Sequence, residues 1–370
     1  MTVALKEKIG QMLIIGFNGM ELNPEDPVVQ AILAKRIGGV ILFDYNFQTR
    51  TYDRNIRNPQ QLQHLTRQLQ EYARQAEMPL PLFISVDYEG GKVNRLKEAY
   101  GFPKTLSAAD IAKCDDEQAT KYVEEMAATL KENGININFA PFVDVNVNPD
   151  NPVIGKLGRS FSEDHQKVSH YARMFSDTYQ KQGILSAYKH FPGHGSSTGD
   201  THEGFVDVTD TWKEYELEPY RQLLQEPHQG VMVMAAHVVH RGLDEKGYPA
   251  SLSAAMMTDL LRNKLHFDGV IVTDDLQMKA ITDHYGLEEA VQLAINAGAD
   301  ILVFGNQLVA LPQDPQEIID IIEQAVITGK IAESRIDEAY QRIMELKNAW
   351  ISVQNGLESE SSAEAKKCVV

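Results

Sequence analysis

The sequence predicts an α/β fold: a single-domain (β/α)8 TIM-like barrel with extra C-terminal helices. Two observations predict it. Eight short apolar runs recur along the chain, and segments with helical periodicity separate them. The runs are Gln11–Phe17, Gly39–Phe43, Leu82–Val86, Ile135–Val145, Ile184–Tyr188, Val231–Ala235, Gly269–Thr273 and Asp300–Phe304. Most are apolar almost without interruption, as in strands buried on both faces of a parallel sheet. A doubly wound open sheet shares this alternation and is the alternative architecture.

The helices follow in order. Pro59–Glu77 places Leu62, Leu65 and Leu69 on one face, and Asp116–Asn133, Glu163–Gln182 and Ala254–Lys264 read the same way. Ser162 is the expected N-cap of the third of these. Past Phe304 the chain continues as helix over Pro315–Thr328 and Ala332–Ala349, read as the last barrel helix and a packing helix. No linker divides the sequence. Residues 1–353 therefore form one barrel domain, and residues 354–370 (QNGLESESSAEAKKCVV) lack the apolar content of a core and are expected to be mobile.

Composition bounds the function. Of 370 residues, 43% are hydrophobic and 24% charged, which excludes wholesale disorder. The formal net charge of −17 repels phosphate backbones and anionic lipid, so neither nucleic acid nor a membrane is an expected partner. Cys114 and Cys368 are the only cysteines, too few for a disulfide framework or a Cys-rich zinc site. With only two residues after Cys368, no C-terminal prenylation signal is expected. The N-terminal run is broken at Gly16 and is too short for a signal peptide or a span. A cytoplasmic monomer is the expectation.

Polar residues gather where the runs end: Asp87-Tyr88-Glu89-Gly90-Gly91 after the third, Asp144 after the fourth, Lys189-His190 after the fifth, His237 after the sixth, and Asp274-Asp275 after the seventh. A lone Asp after a strand is ordinarily a cap or turn residue. A barrel, however, brings all these ends to one rim. The segment from Tyr188 to Phe205 (YKHFPGHGSSTGDTHEGF) is rich in Gly, Ser and Thr and must be a loop. Asp200, two residues from His202, can bond one ring nitrogen and raise the basicity of the other. A solvated Asp and His in a polar loop is the plain alternative. His190, His194 and His202 with Asp200 could also ligate a metal. Yet Pro192 and Gly193 forbid the helical His spacing of zinc proteases, and Lys189 would set a cation beside the ion, so no metal and no cofactor are expected. Strand alternation can aim only one of Asp274 and Asp275 inward. That one is a candidate nucleophile toward a sugar carbon, whose transition state carries positive charge.

These motifs resemble family 3 glycoside hydrolases, in the β-N-acetylglucosaminidase branch. The resemblance rests on Lys189-His190-Phe191-Pro192-Gly193-His194-Gly195 with Asp200-Thr201-His202, on the segment Val86 to Arg95, on Gly158-Arg159-Ser160-Phe161, and on Thr273-Asp274-Asp275-Leu276. It runs from about Lys8 to Trp350. It implies a retaining exo-β-N-acetylglucosaminidase acting on a carbohydrate, such as N-acetylglucosaminyl-1,6-anhydro-muramyl peptides from cell-wall recycling. Asp274 would be the nucleophile, His202 the general acid and base, and Asp200 its orienting partner. Asp87, Arg95, Arg159, Lys189 and His190 would bind the sugar. Tyr88, Lys92 and Thr201 depart from the Gln, Arg and Ser common in the family. The second domain that supplies a Glu acid in glucosidase relatives is not expected in a chain of this length. A β-glucosidase of the same family is the first alternative, and a metal-dependent barrel hydrolase the second. His194 and His237 are read as structural, since the mechanism leaves them no role.

Overall fold

The structure, a computed structural model, describes residues 3–77, 79–225, 230–309 and 311–367. Eight parallel strands close into a barrel: β1 (Leu13–Gly16), β2 (Gly39–Leu42), β3 (Phe83–Val86), β4 (Ile137–Asn138), β5 (Leu185–Phe191), β6 (Val231–Ala235), β7 (Ile271–Asp275) and β8 (Ile301–Phe304). Each pairs with its sequence neighbour, and β8 returns to β1 in the register Leu13 with Leu302, Ile14 with Val303 and Ile15 with Phe304. That last pairing excludes the open-sheet alternative. All eight apolar runs hold a strand, and the strands are buried along nearly their whole length.

The differences are local and have local causes. The first run begins in a helix, Leu5–Gln11, and becomes strand only at Leu13. The fourth run was expected to extend from Ile135 to Val145 and forms ladder only at Ile137–Asn138. Pro141 offers no N–H to a neighbouring strand, and the chain rejoins through a bridge from Phe142 to Lys189. β5 and β7 reach further than expected, to Phe191 and Asp275, so that polar residues anticipated beyond the strands lie inside them.

The predicted helices are present. Asn58 caps Pro59–Gln75 by accepting from the Gln61 amide at 2.9 Å, and Leu62, Leu65 and Leu69 are fully buried against the barrel. Each such leucine contributes about 2 kcal/mol of burial. Asp115 caps Asp116–Glu132 in the same way. His165–Gln182 starts two residues later than expected: Asp164 is its N-cap, and Ser162 instead accepts the Asp164 amide at 3.0 Å. Ala255–Lys264 is helical with the wider π-type bonding. Leu287–Ala297, not singled out from the sequence, buries Ala290, Val291, Ala294 and Ile295. The last helix, Glu333–Lys367, continues beyond residue 353, and Gln354 donates to the Gly183 carbonyl at 2.9 Å. Cys368 and the two valines after it lie outside the described residues. Among the described residues no helix is long and apolar enough to cross a membrane.

Candidate active site

At the C-terminal rim of the barrel a cavity of about 380 Å³ is lined by Asp87, Arg95, Lys189, His190, His202 and Asp274, among others. Consecutive residues of a regular strand face opposite sides. Lys189 and His190 nevertheless share this wall, because the β5–β6 pairing slips register between Lys189 and Phe191. The same happens in β7. Only one of Asp274 and Asp275 was expected to face inward, but both line the cavity, since the β7–β8 pairing slips between Val272 and Asp275.

The two aspartates are nonetheless distinguished by their bonds. Asp275 Oδ1 accepts the Gln277 and Gly305 amides, at 3.0 and 3.2 Å. Asp274 Oδ1 accepts only the Asp275 amide, at 2.8 Å, which leaves its carboxylate open to the cavity. Burial pushes the Asp275 carboxyl up to about 6. Burial acts on Asp274 too, but His237, His190, His202 and the Asp275 amide outweigh it and hold that carboxyl well below its usual range. Neighbouring carboxyls driven apart in this way divide into an ionised group and a structural one.

His202 reaches the same cavity from the loop after β5. Asp200 Oδ1 accepts both the His202 backbone N–H and its Nδ1–H, each at 2.8 Å. A carboxylate can only accept, so Nδ1 carries the hydrogen and Nε2 is left to exchange protons. Asp200 itself does not line the cavity. The Ala280 amide, at the start of the helix after β7, donates to the Thr201 carbonyl at 3.2 Å and docks this turn beside Asp274. Burial works against the His202 charge, but the Asp200 bond and the Asp274 field outweigh it and raise its pKa above the ordinary histidine value. The root of the loop is fixed. Residues 193–197 are buried, Glu216 Oε2 accepts the Ser196 amide at 3.2 Å, and a Cβ on Gly195 would stand 1.7 Å from the Val145 carbonyl. Thr198 and Glu203 are exposed, as is the His202 side chain at 54%.

The sugar-binding candidates form an ion network. Lys189 Nζ lies 3.0 Å from Asp87 and 2.6 Å from Glu89, and Arg95 reaches Asp87 at 3.7 Å. Arg159 does not line the cavity. It grips Glu89 through two bonds of 2.9 Å and donates to the Val153 carbonyl at 2.8 Å, so its bonded link to the site runs through Glu89. Burial alone would suppress the Lys189 charge, yet Asp87 and Glu89 raise its pKa. Asp87 is held down in turn, against burial, by Lys189 and Arg95. His190 gives Nδ1 to Asp144 at 2.8 Å, and Asp144 also accepts the His190 and His194 amides.

His194 bonds Ser197 through Nδ1 at 2.8 Å and is buried, with burial and His190 lowering its pKa to about 4. His237 Nε2 donates to the Asp275 carbonyl at 2.8 Å, while its Nδ1 accepts from Ser251. Both rings are therefore occupied inside the fold. Among the described residues no group of three or more His, Cys, Asp or Glu is arranged to hold a metal ion.

Comparison with known proteins places this geometry. Residues 4–346 match the family model described as "Glycosyl hydrolase family 3 N terminal domain". The chain belongs to glycoside hydrolase family 3. It is 36% identical over 333 residues to the Beta-hexosaminidase A of Pseudoalteromonas piscicida, covering 84% of this chain and 53% of that one, so it spans about half that relative's length. A family 3 β-N-acetylglucosaminidase structure from a Paenibacillus species superposes with a TM-score of 0.85 at 33% identity, covering 95% of this chain and 64% of that one. The β-N-acetylhexosaminidase of Beutenbergia cavernae superposes with a TM-score of 0.82 at 26% identity, covering 94% and 99%.

Several residues that shape this family 3 site were missed in the sequence. Glu89 is the shared partner of Lys189 and Arg159. Asp44, fully buried after β2, is held by Lys97 and by the Tyr100 hydroxyl at 3.1 Å. Arg54, also buried, donates to the Phe17 and Gly305 carbonyls and thereby braces the strand end that feeds an amide to Asp275. Glu89 stood inside a segment already singled out. Asp44 also follows a strand, and that position was its only available signal.

Proposed function

We propose that the protein is a retaining exo-β-N-acetylglucosaminidase. The observation that carries this reading is the convergence of an open Asp274 carboxylate and an Asp200-oriented His202 on one cavity at the barrel's C-terminal rim. The Paenibacillus structure is named for the same sugar, and the Pseudoalteromonas relative for hexosaminidase activity.

In this reading Asp274 attacks the anomeric carbon as the glycosidic bond breaks, and His202 gives its Nε2 proton to the departing oxygen. A glycosyl ester of Asp274 results. The now neutral His202 takes a proton from water, the water oxygen bonds to the anomeric carbon, and the Asp274 carboxylate leaves. Two inversions retain the β configuration. Asp200 keeps Nε2 as the working nitrogen in both steps. Asp87, Arg95, Lys189 and His190 hold the hydroxyls and the N-acetyl-bearing sugar, with Arg159 acting through Glu89. The sequence suggests closure of the whole Gly193–Gly204 loop over bound sugar, but residues 193–197 are buried, so we assign the closing motion to its tip, from Thr198 to Gly204. A muropeptide carrying terminal β-linked N-acetylglucosamine, met in the cytoplasm during wall recycling, is the natural substrate we favour.

Mass spectrometry of protein treated with a 5-fluoro N-acetylglucosaminyl fluoride tests the reading. A single label on Asp274 is expected. Label on another side chain, or release of the α anomer first in NMR of the product, overturns it. Faster turnover of an aryl glucoside than of the aryl N-acetylglucosaminide would favour the glucosidase instead.

A further inference from the structure

We propose that the loop after β2 builds an aglycone subsite, an aromatic platform of Tyr45, Phe47 and Tyr52 that receives the hexopyranose ring of the leaving group. The inference rests on the activity proposed above and extends it to what lies beyond the scissile bond.

Exposure is the first argument. Phe47 is 51% exposed, Tyr52 57% and Leu308 37%, and all three line the same cavity as Asp274 and His202. Large apolar groups gathered at the mouth of a charged cavity do not serve the core, and such patches mark binding surfaces. Position is the second. His202 protonates the oxygen that departs with the aglycone, so the aglycone must lie at the solvent side of Asp274, where these rings are.

The platform is also built before any ligand arrives. Asn46 and Thr51 exchange backbone bonds of 2.8 and 3.3 Å, and the Asn46 side chain accepts the Gln48 and Thr49 amides at 3.0 and 3.3 Å. Gln48 donates to the Val309 carbonyl at 3.1 Å, tying the loop to the segment after β8. Tyr45 is the hub: its ring centroid is 4.8 Å from that of Phe47 at 83°, and 4.8 Å from that of Tyr52 at 54°.

Charge decides what the platform takes. Lys97 Nζ sits 4.3 Å from the Tyr52 centroid and 2.5 Å from Asp44, so its ammonium is neutralised and covers one Tyr52 face. No free cation is offered there to an anionic group by this lysine. The remaining ring surface suits the weakly positive C–H face of a β-linked pyranose, which an aromatic quadrupole attracts.

Phe47→Ala and Tyr52→Ala, assayed on N,N′-diacetylchitobiose and on N-acetylglucosaminyl fluoride, test this. The fluoride carries no aglycone ring. Each variant is expected to lower kcat/KM for chitobiose by about tenfold and to leave the fluoride within about twofold, with Phe47→Trp restoring chitobiose turnover. Unchanged chitobiose kinetics, or equal losses on both substrates, overturn the subsite while leaving the activity standing. Failure of the unsubstituted enzyme on both substrates overturns the activity, and the subsite with it.

Discussion

The two rims of the barrel both bury charge, and they use it differently. At the N-terminal rim Asp300, fully buried just before β8, is held by Arg262, Arg335 and Arg342 and accepts the Ile271 amide at 2.9 Å. Nearby, Lys347 donates to Gln11, Gly38 and Pro81. Each carboxylate oxygen and each ammonium hydrogen there has a partner within the fold. At the C-terminal rim Asp274 and the His202 Nε2 have no such closure and face a cavity of about 380 Å³. Charge density does not separate the rims. What separates them is that Asp274 and His202 open onto the cavity at the C-terminal rim, where a substrate can reach them.

The largest effect should come from breaking the open rim. Asp274→Ala should lower kcat on an aryl N-acetylglucosaminide by on the order of 10⁴ or more, with a fall in stability smaller than that of Asp300→Ala, because the partners that hold Asp274 ionised lose their anion. A loss of folding parallel to the loss of rate would erase the contrast between the rims. His202→Ala should slow unactivated leaving groups by about 10² to 10⁴ and activated aryl ones far less, since only the former need an acid. The pH profile carries the same assignment. A raised His202 pKa keeps the acid protonated past the ordinary histidine range, and activity on poor leaving groups is lost as pH rises through that value. Asp200→Asn should move that alkaline limb to lower pH, and an unmoved limb would remove Asp200 from its orienting role.

At the closed rim the expectation is the reverse. Asp300→Ala leaves three guanidinium groups without their shared anion and should destabilise the fold by about 3–5 kcal/mol. The kcat of the fraction that remains folded should stay within about twofold of the parent. Denaturant unfolding and active-site titration measure the two quantities separately. A rate defect in the folded fraction would mean that the rims are coupled.

What the sequence made legible follows the same division. The eight strands were readable because burial on both faces writes a continuous apolar run, and Lys189, His190, Asp200, His202 and Asp274 were readable because their motif is local. The pairing partners were not. Glu89 meets Arg159 seventy positions away, and Asp300 meets Arg335 and Arg342 on the last helix, whose docking no short window encodes. Nor could alternation foresee that a register slip would turn both Asp274 and Asp275 to the cavity. Motifs recorded the groups proposed to act, while the partners that hold them emerged only with the tertiary contacts.

Near neutral pH the smallest effect should come from Lys347. Burial alone lowers its pKa to about 7 in the fold, against 10.5 for an ordinary lysine. Between those values the unfolded chain binds the proton and the folded chain does not, so the contribution of Lys347 to stability rises with pH across that window and is flat below it. Lys347→Met keeps an unbranched chain but removes the ammonium that lies 4.6 Å from the Phe83 ring centroid, and leaves the Gln11, Gly38 and Pro81 oxygens without their donor. At pH 6.5 the lost bonds and the removed desolvation should nearly offset, within about 1 kcal/mol. At pH 9.5 the parent no longer carries a buried charge, and its advantage over the variant should be larger. Urea unfolding of both proteins at the two pH values reads the difference directly. A gap that stayed constant would mean that the ammonium remains charged in the fold, its three acceptors being strong enough to hold the proton against burial.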